Sequence, residues 1–224
     1  MSRPALAGAK RLILYDLDGT LVDTLGDLTA AVHVMLARLG APPAPASEIR
    51  RHVGRGATEL VRRCLGTEEP GRVQEGLAML LTSYEEHLTD SSCLYPGTRE
   101  LLAWFGGRRQ AVITNKPDPH ARRLLEALGI AGFFEDIVAG NGRYPKKPDP
   151  AAVLGLMGEA GARPAETLMI GDSPIDVDTG RRAGVSTVGV LHGFCDEAEL
   201  LEAAPDVLVK GFPELRAMAI TLGW

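Results

Sequence analysis

The stretch Asp16-Leu17-Asp18-Gly19-Thr20-Leu21-Val22-Asp23-Thr24 decides the reading of this chain. It follows a short apolar run, Arg11-Leu12-Ile13-Leu14-Tyr15. The run has the length of a buried strand. Two carboxylates therefore stand where that strand ends, with a glycine in the tight turn beyond them. Open α/β sheets bind ligands outside the carboxyl ends of their strands. Paired acids at such an end predict a functional site.

Beyond this stretch, residues 24–90 carry helical spacing only. Leu25, Leu28, Val32, Met35, Leu36 and Leu39 recur along one face, and Gly40 with Pro42, Pro43 and Pro45 ends that helix. Ser47 is expected to cap a short helix running to 53. A third helix is expected over 57–65, closing at Gly66. A fourth, over 71–88, carries Val73, Leu77, Leu80, Leu81 and Tyr84 on one stripe. The pattern then changes. Strands are expected at 11–16, 110–114, 136–139, 167–170, 185–190 and 206–209. Helices are expected at 98–105, 118–128, 149–159, 174–183 and 214–219, with Pro174 well placed in a first turn. Alternating strands and helices predict an α/β fold with a doubly wound parallel sheet. An inserted α-helical cap, residues 24–95, interrupts a core made of 1–23 and 96–224.

The composition is ordinary for a globular protein: 224 residues, 45% hydrophobic and 24% charged. No apolar run is long enough to span a bilayer, and residues 1–10 show no secretion pattern, so a cytoplasmic protein without a membrane partner is expected. Cys64, Cys93 and Cys195 form no CxxC pair and read as reduced thiols. His33, His52, His87, His120 and His192 show no metal-ligand spacing and read as surface or packing residues. The net charge of −5 argues against a nucleic-acid partner. It does not argue against a phosphorylated substrate, because a metal ion can supply local positive charge. Positive charge comes from 19 Arg and only 5 Lys: Lys10, Lys116, Lys146, Lys147 and Lys210.

Three further segments fall at strand ends or in loops: Ile113-Thr114-Asn115, Lys147-Pro148-Asp149-Pro150 and Gly171-Asp172-Ser173-Pro174-Ile175-Asp176. Together with the first stretch, and in this order, they resemble the four motifs of the haloacid-dehalogenase superfamily, a Rossmann-like group most of whose members are phosphatases. The residue types suit that chemistry. A phosphate monoester is a dianion, and a hard cation such as Mg2+ binds through one or two carboxylates plus substrate phosphate. Asp16 and Asp172 can supply such ligands. Lys147 adds positive charge, and the Thr114 hydroxyl and Asn115 N–H can donate to phosphoryl oxygens.

The resemblance implies roles. Asp16 is the nucleophile and forms an aspartyl-phosphate. Asp18 protonates the leaving alkoxide and then activates water, while its backbone carbonyl joins Asp16 and Asp172 on Mg2+. Asp176 holds metal-bound water or orients Lys147. Gly19 and Asn115 belong to the substrate-binding set. Asp23, Asp149 and Asp178 read as capping or surface acids.

Among relatives, the dehalogenases lack an acid at the position of Asp18. The phosphonatases use a cap lysine, and residues 24–95 contain none. The β-phosphoglucomutases usually carry a β-branched apolar residue at the position of Thr20. The cap stretch Val53-Gly54-Arg55-Gly56-Ala57 with Leu60-Val61-Arg62-Arg63, and Val22-Asp23-Thr24, Tyr95-Pro96-Gly97 and Asn115-Lys116-Pro117, are similar to bacterial phosphoglycolate phosphatases. Arg55 is expected to meet an anionic group of the substrate. The stretch 141–145 before Lys146-Lys147 departs from that family's acidic or serine-rich version. The expected activity is Mg2+-dependent hydrolysis of a small phosphorylated metabolite, first 2-phosphoglycolate, by a monomer or homodimer. A phosphosugar phosphatase, pyrophosphatase or mutase, or a non-catalytic phosphometabolite sensor, are the rival readings.

Overall fold

A computed structural model describes residues 6 and 8–224; part of the 1–10 segment considered above therefore lies outside the described residues. Six parallel strands form the central sheet: β1 (Leu12–Tyr15), β4 (Arg109–Ile113), β5 (Asp136–Val138), β6 (Thr167–Gly171), β7 (Ser186–Val190) and β8 (Val207–Val209). Their order is β5-β4-β1-β6-β7-β8. β1 lies between β4 and β6, paired in parallel with both. The order reverses at that strand, which makes its carboxyl end a topological switch point.

β1 buries both its faces. Ile13 and Tyr15 join one apolar cluster, with Leu101, Leu102 and Phe105 of α5 (Thr98–Trp104) and Leu124 and Leu125 of α6 (His120–Ala127). Leu12 and Leu14 join the other, with Val153 and Leu156 of α7 (Ala151–Ala160) and Ala183 of α8 (Pro174–Ala183). Side chains alternate across a strand, so burying both faces needs a continuous apolar run such as Leu12-Ile13-Leu14-Tyr15. The Tyr15 hydroxyl is satisfied there by donating to Gln110 Oε1 at 2.9 Å.

The helical region has a core of its own. Leu28, Val32, Met35 and Leu36 of α1 (Leu25–Arg38) pack with Ile49 of α2 (Ala46–His52), Leu60 and Val61 of α3 (Ala57–Leu65), and Val73, Leu80 and Tyr84 of α4 (Pro70–Glu86). The α1 and α4 residues are among those that recur at helical spacing in the sequence. Pro45, not Ser47, stands at the start of α2. α4 begins at Pro70, where the Glu69 side chain accepts from the N–H groups of Gly71 and Arg72. Three elements escaped the sequence reading. β2 (Val22–Asp23) and β3 (Cys93–Leu94) pair antiparallel where the chain leaves and rejoins the core; two residues are too few to show a period. α9 (Glu197–Ala203) buries only Leu200, so it presents no apolar stripe. Among the described residues, no helix is long and apolar enough to cross a membrane.

The junction is held by Asp27. Its Oδ1 accepts from the Ser91 N–H at 2.9 Å and the Ser91 hydroxyl at 2.5 Å. Its Oδ2 accepts from the Ser92 N–H at 2.8 Å and the Ser92 hydroxyl at 2.6 Å. Burial opposes ionisation of this carboxyl, but the four hydrogen bonds outweigh it and hold its pKa below the usual carboxylate range. A depressed pKa contributes stability at neutral pH that is lost on acidification. Asp27→Ala should therefore lower the unfolding free energy by about 2 kcal/mol at pH 7, and by less at pH 3, in urea melts.

Candidate active site

The strand ends converge as the switch point requires. Asp16 and Asp18 follow β1, Thr114 and Asn115 follow β4, and Asp172 follows β6, while Asp176 sits in the first turn of α8. Lys147 comes from the loop between β5 and α7. All seven side chains are buried.

Lys147 is the hub. Its Nζ lies 2.7 Å from Asp16 Oδ1 and 2.6 Å from Asp176 Oδ1. Asp176 is fixed in turn by Ser173, whose hydroxyl donates to Oδ2 at 2.6 Å, and the reciprocal capping box starts α8. Asn115 aligns the lysine loop. Its Oδ1 accepts from the Lys147 N–H at 2.9 Å, and its Nδ2 donates to the Lys147 carbonyl at 3.1 Å. The same Nδ2 donates to the Gly54 carbonyl of the helical region at 2.9 Å. One amide thus ties strand end, lysine loop and helical region together, a task the sequence did not reveal.

Asp172 is positioned by donors. Thr20 Oγ1 donates to its Oδ1 at 2.8 Å and the Phe194 N–H to its Oδ2 at 2.7 Å. Gly19, at φ +84°, lies against this carboxylate; a side chain there would run into Asp172. Asp18 is placed similarly. Its Oδ1 accepts from Thr24 Oγ1 at 2.7 Å and from Lys116 Nζ at 2.8 Å. Lys116 also donates to the Tyr84 hydroxyl at 2.9 Å. Thr20, Thr24, Tyr84 and Lys116 were not singled out as site residues. Thr20 and Thr24 flank the acids in sequence and had a signal to offer; Tyr84 is far away in the chain and had none.

Charge in the cluster is unbalanced. Oxygens of Asp16, Asp172 and Asp176 lie within 4.8 Å of one another, facing the single Lys147 ammonium. Burial lowers the Lys147 pKa, but Asp16 and Asp176 outweigh it and hold the ammonium charged. Asp16 is pushed well above the carboxylate range by burial, with Asp176 and Asp172 adding to the effect against the pull of Lys147. Asp172 is raised to about 6, again by burial first and then by Asp176. Three buried carboxylates beside one cation resist ionising together. Oxygen-only ligands with an excess of negative charge suit a hard divalent cation.

Two cavities flank the acids. One lies under the helical region and is lined by Asp18, Thr114, Lys116, Tyr84, His120 and apolar side chains. The other also reaches Asp16 and Asp18 and is lined by Asp172, Arg50, Arg51, Arg55, Ser173 and Phe194. Arg55 is exposed at this second cavity and is not gathered with the buried set. Lys146 is exposed as well. Asp23 and Asp149 accept local N–H groups, from Leu25 and Ala151, and Asp178 pairs with Arg182.

Comparison with known proteins agrees with this geometry. Residues 13–190 match the family model described as haloacid dehalogenase-like hydrolase. The phosphoglycolate phosphatase of Pseudomonas putida is 38% identical over 216 residues, spanning 93% of this chain and 78% of its own. Phosphoglycolate phosphatase 1 of Pseudomonas aeruginosa is 39% identical over 212 residues, spanning 92% and 78%. A crystal structure of a predicted phosphoglycolate phosphatase from Haemophilus somnus superposes with a TM-score of 0.89 at 29% identity, covering 94% of this chain and 98% of that one. The match over most of the chain and the converging strand ends establish that this protein belongs to the haloacid dehalogenase-like hydrolase family.

Proposed function

We propose that the protein is a Mg2+-dependent phosphatase of small phosphorylated metabolites, with 2-phosphoglycolate its first candidate substrate. The observation that carries the reaction class is Lys147 clamped between Asp16 and Asp176, with a second acid, Asp18, two residues beyond the first. The substrate assignment is supported by the relatives, two of which are named phosphoglycolate phosphatases.

Asp16 is the nucleophile. Its carboxylate attacks phosphorus, the bond to the substrate alcohol oxygen breaks, and Asp18 gives that oxygen a proton. Water then attacks the phosphorus of the aspartyl-phosphate, Asp18 takes the water's proton, and phosphate leaves as Asp16 is restored. Lys147 sits beside Asp16 through both steps and offsets charge on the phosphoryl oxygens. In this reading the Thr114 hydroxyl and Asn115 N–H donate to those oxygens.

The donor set fits Mg2+. The family resemblance implies Asp16, Asp172 and the Asp18 carbonyl as its ligands, and Asp176, which binds Lys147 and Ser173, would have a supporting role. Bound there, Mg2+ supplies positive charge to the nucleophile and the phosphate. Arg55, exposed at the wider cavity, is placed to attract anionic substrates as they arrive.

Two outcomes follow. Asp16→Asn should lower phosphate release by at least about a thousandfold without lowering the melting temperature. The assay is a Mg2+-supplemented screen of phosphoglycolate, sugar phosphates, nucleoside monophosphates and pyrophosphate. An unchanged rate would remove Asp16 from the mechanism.

The second concerns Asp172. Between its ordinary value of 3.8 and about 6, the folded chain keeps a proton that the unfolded chain has released. Metal-free stability should therefore fall as pH rises through that window, and Asp172→Asn should lessen this fall, with the raised Asp16 carboxyl keeping the remainder. Protons and Mg2+ compete for the same oxygens, so the rise in melting temperature produced by Mg2+ should be larger at pH 8 than at pH 5.

A further inference from the structure

The cavity beneath the helical region holds a cation that the mechanism above does not use. Lys116 is buried, and among the described residues it is the one Lys or Arg lining this cavity. An ammonium has three N–H donors. Asp18 takes one at 2.8 Å and Tyr84 takes another at 2.9 Å. Nζ also lies 4.3 Å from the centroid of the Tyr84 ring, which fixes its direction of approach. The third donor has no partner among the described residues.

His120 gives a second sign that this space takes a polar occupant. It is buried, it lines the same cavity, and its Nδ1 has no hydrogen-bond partner among the described residues. Its Nε2 lies 3.2 Å from the Leu81 carbonyl, which can only accept. Nδ1 is therefore left as a buried acceptor, and such a group calls for a water or ligand.

We propose that Lys116 is the specificity-determining residue of this site and that its free N–H receives a carboxylate carried on the leaving group. This rests on the phosphatase reading, in which Asp18 faces the leaving oxygen. An oxygen within hydrogen-bond reach of Asp18 lies beside the Lys116 ammonium, because Asp18 Oδ1 itself touches that ammonium. A carboxylate one carbon further on falls within reach of Nζ.

Size and polarity agree. The cavity measures about 50 Å3, on the order of a few water-sized volumes. That suits a –CH2–COO− arm better than a sugar ring. Leu28, Val53, Leu60 and Leu80 form much of its wall, so a charge pair inside is weakly screened. The Arg55 cavity is wider, about 120 Å3, and Arg55 is exposed there. Substrate selection thus falls to Lys116 rather than to Arg55.

The test compares kcat/KM for phosphoglycolate and for ethyl phosphate, which replaces the carboxylate by a methyl group. Wild-type protein should prefer phosphoglycolate. Lys116→Met should cut that preference by at least roughly tenfold, Lys116→Arg should keep most of it, and Arg55→Ala should leave the ratio within about twofold. Equal losses on both substrates in Lys116→Met would show that the lysine only positions Asp18 and would overturn the proposal. Loss of the preference in Arg55→Ala would overturn it as well. Should Lys116→Met fail to fold, the five lysines make their Nζ NMR signals assignable in wild-type protein. Glycolate at an inhibitory concentration should move the Lys116 signal; an unmoved signal contradicts the proposal. Wild-type protein that releases phosphate from neither ester, nor from any other phosphoester, would instead defeat the phosphatase reading.

Discussion

The Lys147 ammonium, buried between Asp16 and Asp176, is the interaction on which the rest of the site depends. Desolvating these charges is costly, and removing one member of such a group leaves the others uncompensated, typically at about 3–5 kcal/mol. The fold recovers that cost through geometry. Asp176 is locked by the first turn of α8, Asp16 is fixed by the end of β1, and Asn115 hydrogen-bonds the lysine's own backbone on both sides. Three chain segments distant in sequence are therefore held in register around one nitrogen. The negative charge left over is what a divalent cation would neutralise.

The helical region shapes what reaches that cluster. It has its own apolar core, it is held at the junction by Asp27, and it touches the strand ends through Gly54. Its inner face meets the core on the side where Asp18 points, and there it contributes Tyr84, the partner of Lys116. Two cavities of different chemistry meet Asp16 and Asp18: a narrow, mostly apolar one, and a wider, arginine-lined one that also reaches Asp172.

Much of this was legible in the sequence because it is local. A buried strand must be apolar on both faces, so β1 stood out, and the acids that follow it stood out with it. The first and fourth helices of the helical region showed their stripes because each buries one face against the others. Asp172 and Asp176 are placed by one strand end and one helix start, adjacent in sequence. What was not legible depends on packing between distant segments. Lys116 reads as an ordinary lysine until Tyr84, 32 residues upstream, is folded against it. Asn115 was expected to offer its N–H to the substrate, but its side chain's three hydrogen bonds appear only in three dimensions. Arg55 had a persuasive sequence context, and only burial distinguishes it from the lysine inside. β2, β3 and α9 are too short or too polar to carry a period, and Pro45 displaced Ser47 at the start of α2 because local cap preference is a weak constraint beside the fixed backbone of proline.

The central claim is that Asp16 accepts the phosphoryl group. Rapid acid quenching during turnover of phosphoglycolate, followed by peptide mass spectrometry, tests it most directly. The account predicts a phosphoryl group on the peptide containing Asp16, formed faster than phosphate appears and absent from Asp16→Asn. Phosphate release at full rate with no phosphoryl group on that peptide, or with one on another residue, would contradict it.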